Sequence, residues 1–462
     1  MRLRTVSLAL FSLTFVIACS DSDADGGAET GGSGGASSSG ANGTGGGGET
    51  SSSSSGTAGT STGGQAQGGG GEGGGGGVVD PYNDQPQDLS FDSEELEGGW
   101  YQYYQGSVQY RPSGDVFDIA VSADNAPFVF HVSESPGLSL RYKDANGWAV
   151  DDEVTDPDIG YLPNAVRVSV DGELAQVAIG GLHYVNYPSF VGSLHHYRYD
   201  GYKWFDEHPT AGTTVNFTPR SIAHRIDAAG HAHMAFVGRP PPGNNGTVGL
   251  IYARWDGSTW IGETVDTAVI APGENAVELE LGPDGEPRIA YLAENPDSGP
   301  SESEYIARVA TRSAGNWNVE TAEDYLYLRP LLAMGLAPDG AVHLALADDE
   351  NADLFHVTNA GGSWEREAVD DEGDIGWGFA LDVDGLGRPH LSHVDRETNQ
   401  IRYARKLASG WDKYTLPEVY ADTAGASGGT TELETRIAVD GEYLPHIAVG
   451  GFDMSYVHGT RP

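Results

Sequence analysis

The histidines are the residues of this chain that most resemble a set of metal ligands. His233, His343, His390 and His446 each follow an Asp-containing turn, at the same place in four copies of a repeated pattern. Imidazole nitrogens bind a transition metal at about 2 Å, so four ligands must converge on one ion. Repetition places these four in different structural units, far from one another. We therefore interpret them as structural and predict no metal site.

A second group of histidines and tyrosines does not follow the repeat. Rings with a polar tip are suited to stacking on sugars or to contact with peptides, and residues that break a repeat are better candidates for a ligand. Ordinary surface positions are the alternative interpretation. The candidate ligand-binding residues are His131, His183, Tyr184, Tyr187, His195 and His393.

The segment "DVDGLG", from Asp382 to Gly387, resembles a calcium-binding loop. It coincides with a turn that recurs in every repeat, and Asp-Gly is typical of tight hairpin turns. We interpret it as a turn, with bound Ca²⁺ as the alternative. The sequence indicates no other cofactor.

The elements that position these residues are seven copies of a unit of roughly 50 residues. In each copy an apolar strand leads through an Asp-containing turn into a second strand, as in "VELELGPDGEPRIAYL". A third strand rich in Tyr and Arg follows, then a Gly-containing turn. The turns contain Asp124, Asp171, Asp227, Asp284, Asp339, Asp384 and Asp440, and six fourth segments begin near Trp148, Trp204, Trp260, Trp317, Trp364 and Trp411.

Four short strands per unit, without a helical period, predict an all-β propeller. The last copy ends at "MSYVHGTRP" without a fourth strand. We predict seven four-stranded blades, the last one closed by the N-terminal segment around Trp100 in "LEGGWYQYYQGSVQ". Closure of this kind removes two free sheet edges. Six or eight blades are the alternatives.

The repeat resembles the BNR or Asp-box repeats of the sialidase-like propeller superfamily and the seven-bladed propeller lectins. The turns "DANGW", "DGYKW" and "DGSTW" stand where that superfamily has its Asp-box, whereas "AGNW", "GGSW" and "ASGW" lack the Asp. The resemblance extends over nearly all of Trp100 to Pro462. It implies the propeller fold and, for function, either glycan binding or glycan hydrolysis.

A glycosidase of that kind would need arginines at the mouth of the channel, a tyrosine with a carboxylate partner, and a separate acid. Arg167, Arg220 and Arg436 lie on or near first strands and are compatible with this. The N-terminal arginine motif of sialidases is absent, however, and no carboxylate pair is distinguished by spacing. The catalytic residues therefore stay unassigned, and we favour a protein without enzymatic activity.

Loop length distinguishes the two faces of the predicted propeller. The turns between strands one and two, and between three and four, are uniformly short. The connections on the opposite face vary, and include "GGLHYVNYPSFVGSL" and "GRPPPGNNGTVG". Variable loops on a rigid scaffold commonly carry binding residues. We expect a ligand at this variable-loop face or at the mouth of the central channel.

The N-terminus indicates export and lipid attachment. Residues 1–18 have the layout of a signal peptide, and "VIAC" resembles a bacterial lipobox ending at Cys19, the single cysteine. A plain secretory peptide is the alternative. Residues 19–77 are rich in Gly and Ser and predict a disordered tether. We predict that residues 78–462 form the propeller domain, and Ser20 after the cysteine favours the outer membrane of a bacterial envelope.

The net charge of −42 opposes binding of nucleic acid or anionic lipid. We therefore expect a monomer that meets the membrane through its lipid anchor alone, with carbohydrate or protein as its partner at the cell surface. The sequence favours a binding or scaffolding module, and a glycan hydrolase is the alternative.

Overall fold

The computed structural model describes residues 88–461, except for 98–99, 105–106, 112–115, 133–137, 155–161, 172–173, 187–188, 200–203, 208–220, 239–248, 269, 271–274, 298–303, 325–326, 421–433 and 451–453. The predicted signal peptide, Cys19 and the tether lie outside these residues. Among the residues that the structure describes, no helix is long and apolar enough to cross a membrane.

The described part of the chain forms seven four-stranded antiparallel sheets, as predicted for a propeller, and one small two-stranded sheet. Three N-terminal strands come first: β1 (Ser90–Glu97), β2 (Trp100–Tyr104) and β3 (Ser107–Arg111). Blade 1 contains β4 (Phe117–Val121), β5 (Pro127–Val132), β6 (Leu138–Asp144) and β7 (Gly147–Val154). Blade 2 contains β8 (Leu162–Asp171), β9 (Leu174–Asn186), β10 (Ser189–Tyr199) and β11 (Trp204–Glu207).

Blades 3 to 6 repeat this order. Blade 3 contains β12 (Ile222–Ile226), β13 (Ala232–Gly238), β14 (Gly249–Trp255) and β15 (Trp260–Asp266). Blade 4 contains β16 (Val277–Leu281), β17 (Pro287–Glu294), β18 (Tyr305–Ser313) and β19 (Asn316–Glu323). Blade 5 contains β20 (Leu328–Leu336), β21 (Val342–Asp348), β22 (Leu354–Thr358) and β23 (Glu365–Asp370). Blade 6 contains β24 (Trp377–Val383), β25 (Pro389–Asp395), β26 (Gln400–Leu407) and β27 (Gly410–Tyr420).

Blade 7 consists of β28 (Thr435–Val439), β29 (Pro445–Val449) and β30 (Met454–Thr460), and its fourth strand is β1 from the N-terminus. Closure by an N-terminal strand is therefore confirmed, but the predicted segment was wrong. Ser90 pairs with Thr460 and Glu95 with Ser455, whereas Trp100 lies in β2, which pairs with β3 in a separate two-stranded sheet. The first strands of neighbouring blades contact one another around the whole ring.

The repeated tryptophans occupy a packing position that a phenylalanine fills in blade 7, and for this reason the closing segment differs from the predicted one. Each of them packs against the preceding blade, for example Trp317 against Tyr252 and Trp148 against Tyr456, with ring centroids 5.4 Å and 5.0 Å apart. In blade 7 this role belongs to Phe91, whose ring meets Tyr403 of blade 6 at 5.7 Å. The search for a tryptophan led to Trp100, but a phenylalanine fills the position.

In the turns between first and second strands of blades 6 and 7, one residue lies in the left-handed region of φ, which glycine tolerates best. Gly387 occupies this position in blade 6 with φ 81°, and Tyr443 occupies it in blade 7 with φ 64°. The Gly of the Asp440–Gly441 pair is therefore not the residue that the turn requires. In these two blades the turn begins at the Asp, which accepts hydrogen bonds from the backbone N–H groups two and four residues later.

Candidate functional site

A cluster of charged and amide side chains from six blades meets in the central channel, and we call it the channel cluster. Asn275, just before β16 of blade 4, accepts a hydrogen bond from Arg167 of blade 2 at 2.7 Å and from Arg436 of blade 7 at 3.1 Å. Blades 4 and 7 lie on opposite sides of a seven-bladed ring, so these contacts cross the axis. The cluster consists of Asp118, Arg167, Arg225, Asn275, Glu278, Glu280, Asp382, Glu434 and Arg436.

The three arginines of the cluster share one conformation. In each, Nη1 donates to the backbone carbonyl of the preceding residue, at 2.9 Å for Arg167, 2.7 Å for Arg225 and 3.1 Å for Arg436. This bond directs Nη2 toward a carboxylate: Glu278 for Arg167, Glu280 for Arg225 and Glu434 for Arg436. Arg225 reaches Glu280 of the next blade, and burial, which opposes its charge, is outweighed by Glu280, so the pKa of Arg225 is raised.

The mouth of the channel lies at the end where the first strands begin, which is the variable-loop face. Glu434 and Asn275 precede their strands, and the Asn275 amide lies 3.4 Å from the Glu434 carboxylate. Arg436 binds the same carboxylate at 2.8 Å. Glu278 lies 3.3 Å from Arg167. Planar amide, carboxylate and guanidinium groups thus meet at this end of the channel, where Arg167, Asn275 and Glu434 are buried.

Two carboxylates of the cluster join neighbouring first strands. Asp118 accepts a hydrogen bond from the Val168 N–H at 2.8 Å, and Asp382 accepts one from the Val439 N–H at 2.7 Å. Each of these bonds joins first strands of neighbouring blades, which belong to different sheets. Both acids therefore link neighbouring blades of the ring.

Burial favours the protonated form of two carboxyl groups in this cluster. It raises the pKa of Glu278, although Arg167 and Arg225 act in the opposite direction. Burial also raises the pKa of Asp382 to about 7, with Glu280 adding to the effect and the Val439 N–H opposing it. Carboxyl groups outnumber guanidinium groups in the cluster, so its interior has no excess of positive charge.

Sequence reasoning placed Arg167 and Arg436 on or near first strands, which is compatible with arginines at the channel mouth. Asn275 brings these two side chains together. Arg220 lies outside the described residues, and Arg225, five positions later, is the third member. Its place on the first strand of blade 3 was visible in the repeat, so alignment of the units could have identified it.

The predicted ligand-binding residues do not come together in the described structure. His131 and His393 are fully buried, and they meet Arg141 at 3.0 Å and Asp370 at 3.0 Å respectively. His195 is buried beside Tyr197 and Asp206. His183 and Tyr184 lie in β9, whose pairing with β10 continues to Asn186, so most of the predicted loop is hairpin. Tyr187 lies outside the described residues, and ligand contact by the six stays a prediction.

The repeat-related histidines are buried in their own blades. His233, His390 and His446 each lie within 2.7 Å of a tyrosine hydroxyl from the third strand. Asp384 of the "DVDGLG" segment accepts hydrogen bonds from the turn N–H groups, from Arg388 and from His390. These contacts give the Asp a structural role in the turn.

Comparisons with known proteins support the architecture. No protein-family model and no curated protein matches the chain. A polysaccharide lyase described as an ulvan lyase has a TM-score of 0.53, with 11% identity over 79% of this chain and 96% of its own. A Hadza microbial sialidase reaches 0.44, with 12% identity over 70% and 73%. An Aleuria aurantia lectin in complex with Fucα1-6GlcNAc also reaches 0.44, with 14% identity over 67% and 97%.

Identity this low shows the fold alone, and among these three structures the lyase has the TM-score that supports an argument from fold. The architecture itself is given by the seven four-stranded sheets, the ring of first strands and the N-terminal closure of this chain. The chain is a seven-bladed β-propeller whose charged and amide side chains meet in the channel.

Proposed function

We propose that this protein is a lipid-anchored binding module of the bacterial cell envelope, and that it binds carbohydrate at the channel mouth. The observation that carries the proposal is the meeting of Asn275, Arg167, Arg436 and Glu434 from three blades at one end of the channel. These groups differ from blade to blade, so they are not required by the repeat. Their fixed donors and acceptors suit the hydroxyl groups of a sugar.

The electrostatics of the site favour a neutral or amino sugar over an acidic one. Arg436 is already paired with Glu434, and Arg225 with Glu280. An acidic sugar would have to displace these carboxylates and approach a chain with a net charge of −42. A neutral glycan can instead bridge the existing pairs without separating them.

The repeated aromatic residues support a single site over one site per blade. A multivalent lectin would present matching aromatic pockets, but Trp148, Trp260 and Trp317 are partly buried against the preceding blade. The differing residues of the channel cluster are the better candidates for recognition.

A glycan array tests the proposal. The full chain should bind neutral or amino-sugar glycans, and Asn275→Ala should weaken this binding at least tenfold, since one hydrogen bond to a charged group contributes about 1.5–3 kcal/mol. Asn316→Ala is the matched control, since Asn316 is exposed at the start of β19 in the same blade. Binding that survives Asn275→Ala unchanged would contradict the site.

Glycan hydrolysis is the second candidate. It is favoured by the raised pKa values of Glu278 and Asp382, because a general acid must keep its proton near neutral pH. Release of reducing sugar from a bound glycan, lost in Glu278→Gln, would support hydrolysis. Glycan binding without release of sugar would contradict hydrolysis and support the binding module.

A further inference from the structure

Three blades contain the same chain of hydrogen-bonding groups: a turn Asp, a second-strand His and a third-strand Tyr. The carboxylate lies 3.4 Å from His233 in blade 3, 3.2 Å from His390 in blade 6 and 3.3 Å from His446 in blade 7. The other ring nitrogen lies 2.6–2.7 Å from Tyr252, Tyr403 or Tyr456. Repetition of the triad indicates a structural role in all three.

Blade 7 adds one residue that the other two lack. The third-strand residue opposite the histidine is Arg254 in blade 3 and Arg405 in blade 6, but it is His458 in blade 7. The His458 ring stacks on His446 with centroids 4.4 Å apart. Its Nε2 atom is buried without a hydrogen-bond partner. Buried polar atoms in folded proteins nearly always have such a partner.

We propose that Asp440, His446 and His458 bind one divalent transition-metal ion, with Zn²⁺ as the preferred class. Their ligand atoms all lie within 4.8 Å of one another. Zinc bonds of about 2.0–2.1 Å in a tetrahedron place ligand atoms about 3.4 Å apart. The pair of His446 Nε2 and Asp440 Oδ2 is already at 3.3 Å, so a modest rotation of His458 completes the set.

The surroundings agree with a metal at this place. Tyr456 holds the second nitrogen of His446 at 2.6 Å and fixes the ring, as outer partners of metal ligands do. Two imidazoles and one carboxylate leave a fourth position open. The arginines at the equivalent positions would repel a cation, which explains why blades 3 and 6 are not candidates.

The location gives the ion a role in closing the ring. His458 pairs with Asp92 of β1, the strand that completes blade 7 from the N-terminus. Asp440 belongs to the first turn of the same blade. A bound ion would therefore join the turn to the third strand where the chain closes on itself.

The test is Zn²⁺ binding and thermal unfolding of the full chain after removal of metal with EDTA. The wild type should bind one more equivalent of Zn²⁺ than His458→Arg, which inserts the residue found in blades 3 and 6. At free Zn²⁺ 100 times the dissociation constant, the unfolding equilibrium constant should fall about 100-fold in the wild type alone. His231→Gln is the control, because His231 lies beside the Asp of the blade 3 triad but has no place in the proposed site.

An unchanged Zn²⁺ equivalent and an unchanged shift in His458→Arg would overturn the proposal. The melting temperature of His458→Arg without metal shows whether this variant is folded. If it is unfolded, His458→Gln takes its place in the test. X-ray absorption of the zinc-loaded wild type gives an independent result. Two imidazoles and a carboxylate around the metal are expected, and a shell without imidazole would also overturn the site.

Discussion

Asp382→Asn should stabilise the propeller at alkaline pH. Asp382 lies in the channel, where burial raises its pKa from 3.8 to about 7. The folded state therefore keeps a proton that the unfolded state has lost between these two values. Its contribution to stability is fully present below about pH 4 and is lost as the pH rises through 7. Asparagine removes the ionisation and keeps an oxygen that can accept the Val439 N–H.

The size of the effect follows from the two pKa values. Between pH 5 and pH 8, the loss of stability from Asp382 alone is about 3 kcal/mol, because each pKa unit corresponds to about 1.4 kcal/mol. We expect the variant to lose this part of the pH dependence. At pH 8 it should be more stable than the wild type.

Urea unfolding at pH 5 and pH 8 measures the difference. The midpoint should shift less with pH in Asp382→Asn than in the wild type, while m stays constant. Asp124→Asn, in an exposed turn, controls for the substitution itself. An equal pH dependence in Asp382→Asn and the wild type would show that water screens the channel acid, and would refute the reasoning.

Three further predictions concern closure, a turn and the anchor. Replacing Ser90–Glu97 with a Gly/Ser segment should unpair β30 and remove Phe91 and Leu96 from the core, which lowers the free energy of unfolding by about 2–5 kcal/mol. The same replacement of Trp100–Tyr104 should leave blade 7 intact. Equal losses of stability in the two variants, measured by chemical unfolding, would contradict this. Tyr443→Gly should raise the free energy of unfolding by about 0.5–1 kcal/mol, because glycine tolerates the φ of 64°, whereas Gly387→Ala should destabilise the protein. A Gly387→Ala variant more stable than the wild type would disprove the turn argument. Cys19→Ser should release the protein from membranes without detergent, and continued membrane association on fractionation would exclude the lipobox.

The repeat made the fold predictable from sequence. Apolar strands flanking an Asp-containing turn recur seven times, and each first strand became the inner strand of a blade. The closing strand was harder to find because Ser90–Glu97 is acidic and has few apolar residues. Phe91 and Leu96 provide its inward contacts, and neither matches the tryptophan pattern of the other blades.

The candidate site was only partly predictable because it depends on contacts across the ring. Arg167 and Arg436 lie on first strands, and the repeat showed as much. Asn275 lies in a connection before its strand, and no local pattern indicates that it reaches blades 2 and 7. His458 has the same limitation: its meaning comes from a comparison of third strands in register, where the other triads have arginine.

The stoichiometry of glycan binding tests the central claim most directly. Calorimetric titration of the full chain with a neutral oligosaccharide selected on the array should give one site per chain, and Asn275→Ala should weaken binding at that site at least tenfold. Several equivalent sites per chain, or one site that Asn275→Ala leaves unchanged, would place recognition in the repeated blades or loops and contradict a ligand site at the channel mouth.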